Sequence, residues 1–140
     1  MDTLLTHQKQ SDKTILVCDP DFISSTLVAS MIKNKLGTKC LTAPDGRAGA
    51  RAVKEFNIDL IITEVYLPYL SGCAMIELIR NEINATVPIL LLSSDVSIKM
   101  KENLNQTLVN AFAEKPINLD QLMTKISFLL QVNEEKLWLS

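Results

Sequence analysis

The chain has 140 residues, a length that suits one domain and leaves no room for a second of ordinary size. Its 47% hydrophobic content provides for a real core, and 14 basic against 16 acidic residues give a formal charge of −2, which argues against non-specific nucleic-acid binding. Cys18, Cys40 and Cys73 are odd in number and lack CxxC spacing, so they read as reduced, buried small hydrophobes of a cytoplasmic protein, not as disulfide or zinc ligands.

The chain opens with a polar stretch, MDTLLTHQKQSD, which has no signal-peptide pattern and is expected to form a flexible arm over residues 1–12. His7, the only histidine, lies in it, so this sequence cannot supply a Ser-His-Asp or Cys-His centre or a histidine metal site. No apolar run approaches the roughly 20 residues needed to cross a bilayer, so no membrane contact is expected.

Five short apolar runs follow: Ile15 to Val17, Cys40–Leu41, Leu60 to Ile62, Ile89 to Leu92, and Leu108 to Ala113. Segments with helical patterning separate them. The first helix should begin after Asp21 as N-cap, present Ile23, Leu27, Met31 and Ile32 on one face, and stop at Gly37. The second runs from about Asp45 to Phe56 and the third from about Ser71 to Ile83. The fourth is weakly patterned, with Val96, Met100 and Leu104 on a stripe and Lys99, Lys101 and Glu102 as a solvated face. The last carries Leu119, Leu122, Ile126 and Leu129, a buried stripe at helical spacing. Apolar strands alternating with helices predict an α/β fold whose doubly wound parallel sheet is covered on both faces.

In open parallel sheets, sites form beyond the carboxyl ends of the strands. Those ends read Cys18-Asp19-Pro20-Asp21, Thr63-Glu64-Val65-Tyr66-Leu67-Pro68, Ser93-Ser94-Asp95 and Glu114-Lys115-Pro116. Two acids, a hydroxyl and a lysine therefore reach one crevice from four separate strand ends. Asp59, at the start of the third strand, lies at the opposite edge and reads as a turn residue.

These residues carry a family resemblance over about Lys13 to Leu130. The run Asp59 to Pro68 closed by Gly72, the run Pro88 to Ser93, the Lys115-Pro116 pair and Phe112 three residues before it resemble the receiver domains of bacterial two-component response regulators. The resemblance implies a flavodoxin-like (βα)5 fold with strand order 2-1-3-4-5. It also implies a site in which two acids after the first strand and an aspartate after the third hold Mg²⁺. That aspartate accepts a phosphoryl group from a histidine kinase, and the hydroxyl (Ser93) and lysine (Lys115) grip the phosphate. Phe112 falls at the family's aromatic switch position.

Two departures undo this chemistry. Asp19 matches the first acid, but Pro20 stands at the second and brings neither carboxylate nor N–H, while Asp21, one residue on, reads as a helix cap. Glu64 stands at the phosphoacceptor position, its carboxylate one methylene further out in a reaction governed by positioning. Tyr66 stands where a backbone carbonyl would bind the metal, and its side chain is expected to help close the crevice. Glu64 itself has two open readings: a charge gripped by Ser93 and Lys115 that imitates the phosphorylated state, or an inert structural ion pair with Lys115.

The sequence thus predicts a receiver domain over residues 13–131 and, over 132–140, an extension of the last helix or a tail. It is read as a stand-alone, phosphorylation-independent adaptor of two-component phosphorelay signalling and not as an enzyme, with no cofactor. The alternative is a phosphoacceptor, a phosphate sink, with an altered Mg²⁺ site using Asp19, Asp21, Glu64 and the Tyr66 backbone. A flavin-binding reading is poorly supported, since Asp19 to Phe22 lacks the small residues of a phosphate-cradling loop. Expected partners are a histidine kinase or another regulator. A homodimer is expected through the face of the fourth helix, fifth strand and fifth helix or through the tail, where Trp138 is the candidate contact.

Overall fold

The structure is a computed structural model and describes residues 12–84, 86–94 and 108–139, with 132–139 described by backbone alone. Residues 1–11 of the predicted arm with His7, the predicted fourth helix with its stripe and charged face, and the side chain of Trp138 lie outside the described residues.

Five strands pair in parallel in the order β2-β1-β3-β4-β5, as the sequence predicts. They are β1 (Thr14–Cys18), β2 (Lys39–Ala43), β3 (Leu60–Thr63), β4 (Ile89–Ser93) and β5 (Ala111–Glu114). The helices are α1 (Phe22–Leu36), α2 (Gly46–Glu55), α3 (Gly72–Leu78) and α4 (Leu119–Leu139), the last being the predicted fifth helix. Every residue of β3 and β4 is buried, because helices cover both faces of the sheet. Leu16, Ile61 and Leu91 face the layer of α2 and α3. Ile15, Ile62 and Leu90 face the layer of α1 and α4. This two-residue alternation divides the core into two clusters.

α1 starts and stops where predicted. Asp21 Oδ1 accepts the N–H groups of Ile23 at 3.0 Å and Ser24 at 3.3 Å. Gly37 closes the helix in the left-handed region at φ 68°, its N–H donating to the Lys33 carbonyl. The predicted face is corrected. Ser25, Val28, Ala29 and Ile32 pack inward, while Ile23 is 77% and Leu27 56% exposed and Met31 is half-buried. Of the predicted residues Ile32 keeps its inward place, and Ser25, Val28 and Ala29 share its face, two of them small side chains that a periodicity weighted by bulk passes over. Three further adjustments are smaller. The predicted third helix is α-helical only to Leu78 and widens to a π-helical turn over Ile79–Ile83, where Asn84 N–H donates to the Ile79 carbonyl at 2.7 Å. The fifth strand begins at Ala111, not Leu108. In α4, Leu122, Ile126, Leu129 and Leu130 are buried and Leu119 only partly, and the helix runs on to Leu139.

Asp59 does more than turn the chain. Its Oδ2 accepts the Thr14 N–H at 2.8 Å while its own N–H donates to the Thr14 carbonyl at 2.8 Å, clipping β1 to β3 at the foot of the sheet. On the far side, Arg80 donates to the Leu108 carbonyl and the Asn110 Oδ1, both at 3.0 Å, and fixes the entry to β5. Among the described residues no helix is long and apolar enough to cross a membrane.

Candidate functional site

Parallel ladders carry the site residues one step past the strands. The Glu64 N–H donates to the Cys18 carbonyl, the Asp19 N–H to the Ala43 carbonyl and the Lys115 N–H to the Ser93 carbonyl, each at 3.0 Å. These bonds continue the sheet register and set Asp19, Glu64 and Lys115 side by side at its upper edge. Thr63 Oγ1 donates to the Glu64 carbonyl at 3.0 Å and steadies the turn, a role the sequence did not suggest.

Lys115 is the hub. Its Nζ lies 2.9 Å from Glu64 Oε2 and 3.0 Å from Asp19 Oδ2. The cluster is well sheltered, with side-chain exposures of 24% for Lys115, 8% for Asp19 and 11% for Glu64. Burial pulls the ammonium pKa down, but the hydrogen bonds to Glu64 and then Asp19 outweigh it and hold Lys115 above its ordinary value. Asp19 spends its other oxygen, Oδ1, on the Asp21 N–H at 2.9 Å.

The loop between β3 and α3 holds Glu64 in place. The Gly72 N–H donates to the Val65 carbonyl at 2.8 Å, and a Cβ on Gly72 would stand 2.3 Å from the Glu64 carbonyl oxygen, so only glycine permits this closure. Tyr66 is 64% exposed and projects to solvent, which corrects the expectation that its ring closes the crevice; the buried neighbours Val65 and Leu67 anchor the loop and leave the intervening side chain outside.

Ser93 is fully buried at the end of β4. Phe112 is half-buried in β5 against the α2–α3 cluster, and its carbonyl accepts a hydrogen bond from Lys125 Nζ. Pro116 follows Lys115 through a cis peptide bond. Cys18, directly before Asp19, is buried, and burial pushes its thiol up to about 12; Cys40 and Cys73 are free and half-buried, less sheltered than predicted.

A receiver-type Mg²⁺ site fits this donor set poorly. Magnesium asks for near-octahedral oxygen ligands, commonly one or two carboxylates with phosphate oxygens and waters. Here one Asp19 oxygen takes a backbone N–H and the other an ammonium, Pro20 offers no side-chain oxygen, and Asp21 points its carboxylate at the first turn of α1. Among the described residues no cluster of three candidate metal ligands forms.

Comparison with known proteins agrees with this architecture. A family model described as the response regulator receiver domain matches residues 15–127. The two-component response regulator-like protein APRR9 of Arabidopsis thaliana is 34% identical over 89 residues, 61% of this chain and 19% of that protein. The sensor histidine kinase RcsC of Salmonella typhi is 26% identical over 117 residues, 84% of this chain and 12% of that protein. The chain therefore spans a fifth or less of these curated relatives. Among solved structures, the receiver domain of sensor histidine kinase PA1611 from Pseudomonas aeruginosa, with a magnesium ion in its active-site cleft, superimposes with a TM-score of 0.78 at 24% identity, covering 85% of this chain and 98% of that one. Chemotaxis protein CheY4 of Vibrio cholerae gives a TM-score of 0.77 at 22% identity, covering 84% and 98%.

Proposed function

Because the chain belongs to the response regulator receiver domain family, we propose that it is a phosphorylation-independent receiver module of two-component signalling, acting through protein contacts with a kinase or another regulator. The observation that carries this reading is the Lys115 bridge: its ammonium, which in the family grips the incoming phosphate, is already held by Glu64 and Asp19. A fixed carboxylate at the acceptor position supplies one negative charge permanently, where an aspartyl phosphate would supply nearly two transiently. With Pro20 in the acidic pocket, the module works without Mg²⁺ and without group transfer, as a binding partner and not an enzyme. Reduced cysteines favour the cytoplasm as its place of work.

One feature of the same site favours the second reading, a phosphate sink with an altered metal site: Asp19 and Glu64 converge on a single cation, and a divalent ion could replace it. A titration with Mg²⁺ and beryllofluoride, followed by amide NMR, decides between them. The wild-type chain is expected to show no saturable change around Asp19, Glu64 and Ser93. The Pro20→Asp, Glu64→Asp double variant is expected to regain one, and Glu64→Asp alone very little. Saturable, site-localised binding to the wild type overturns the proposal. Glu64→Gln then tests the meaning of the fixed charge: shifts spreading from Ser93 to Phe112 mark a mimic, and shifts confined to Lys115 mark a structural pair.

A further inference from the structure

α2 carries Arg47, Arg51 and Lys54, spaced four and three apart, so the three cations lie along one exposed stripe of the helix. Arg47 sits over the Tyr69 ring, 5.8 Å from its centroid. Among the described residues no carboxylate pairs with Arg51 or Lys54. Tyr69 is 80% exposed and holds a left-handed φ of 67°, an unfavourable conformation for a residue with a side chain.

Two hollows meet at Arg51. The upper, about 230 Å³, lies between Asp45, Arg47, Arg51 and Tyr69. The Asp45 carboxylate there caps α2 by accepting the Ala48 N–H at 2.8 Å, which leaves both guanidinium groups to face the hollow. The lower, about 840 Å³, runs between the last turn of α2 and the π-helical turn that widens the end of α3. Val53, Ile58, Leu78 and Ile83 lie in its floor and walls among the polar Arg51, Lys54, Asn57 and Asn84, and Phe56, 51% exposed, stands at its edge. Glu55, in the last turn of α2, and Glu82, in the π-helical turn, border it together with Lys54.

This charge order selects the occupant. Carboxylates match the Arg47–Arg51 end, apolar side chains match the middle, and a basic group matches the Glu55–Glu82 end. A polyphosphate backbone would meet three cations and then two carboxylates, on a chain whose net charge is −2. A membrane surface would meet a concave and charged face. We propose that the outer face of α2, from Tyr69 to Phe56, docks an amphipathic protein segment whose leading end is acidic. The face shares no residue with the Asp19–Glu64–Lys115 cluster, so it is a second point of partner contact, independent of what that cluster does.

The test uses the full chain and a fluorescein-labelled peptide of glutamate and leucine ending in lysine. A lysine–leucine peptide and a single-stranded oligonucleotide of equal length serve as alternatives. The acidic peptide is expected to bind saturably, to shift the amides of Arg47 to Glu55 and Leu78 to Asn84, and to weaken as salt is raised. Arg51→Glu is expected to weaken it at least tenfold and Arg47→Ala severalfold, both with unchanged circular dichroism, since both side chains are exposed. Glu64→Gln is expected to leave it unchanged. Shifts elsewhere, equal binding of either alternative probe, insensitivity to both arginine changes, or loss on Glu64→Gln would each overturn the proposal.

Discussion

Replacing Lys115 with methionine keeps the aliphatic stem and removes the one cation between two sheltered carboxylates. At contacts of 2.9 and 3.0 Å, with an effective dielectric constant of about 20, each pairing is worth about 5.5 kcal/mol before desolvation. The two carboxylate oxygens that share the ammonium lie at most 5.9 Å apart, the sum of those contacts, so their repulsion returns at least about 3 kcal/mol of the gross 11. Desolvation of three ions consumes most of the remainder, and breaking a buried pair by removing one partner typically costs about 3–5 kcal/mol. The 24% exposure of Lys115 places the expected loss at the lower end, about 3 kcal/mol. Urea denaturation at pH 7 should then show the midpoint falling by about 1.5 M, for a slope of about 2 kcal/mol/M. The pH dependence carries a sign. A lysine whose folded pKa is raised stabilises the fold fully below its unfolded value, about 10.4, and that contribution is lost as pH rises through the folded value. The gap between wild type and Lys115→Met should therefore hold from pH 7 to about 9.5, begin to narrow near about 10.4 and go on closing as pH rises through the higher folded value. A loss below about 1 kcal/mol at pH 7 would show that the cluster is an ordinary solvated ion pair and not a sheltered one.

Gly72→Ala drives a Cβ to 2.3 Å from the Glu64 carbonyl oxygen and 2.8 Å from that of Val65, both backbone atoms, and should cost about 2 kcal/mol. For a chain of this size that is a fall of about 4–8 °C in melting temperature, and a fall under about 2 °C would show that the loop yields freely. Asp59→Ala leaves the Thr14 N–H without its acceptor and should cost about 1–2 kcal/mol, with faster hydrogen exchange at Thr14; unchanged exchange would rule out the clip. Alkylation needs the thiolate, so Cys18, pushed up to about 12 by burial, should resist iodoacetamide at pH 8 in the native protein and react once urea unfolds it. Mass spectrometry of the digested protein reads this directly, and native-state modification at the unfolded rate contradicts it.

The layout of this protein is legible in its residues. Apolar runs such as Ile89 to Leu92 mark strands buried on both faces, and cap residues such as Asp21 and Gly37 mark helix ends, because these signals are local and each residue carries its own. The strand ends single out Asp19, Glu64 and Lys115, because in a parallel sheet those positions share one edge. The sequence also holds the Arg47, Arg51, Lys54 spacing, although only the folded chain sets Tyr69 and two hollows beside it. Tertiary structure alone decided which face of α1 is inward, because Ser25 and Ala29 pack where Ile23 and Leu27 carry the stronger hydrophobic signal. It also sent Tyr66 outward and joined Asp59 to Thr14, a contact across 45 positions that no local pattern encodes. The Lys115 bridge belongs to both. Its residues were legible because strand ends converge, but its geometry, one ammonium between two carboxylates, exists only once three strands meet in register.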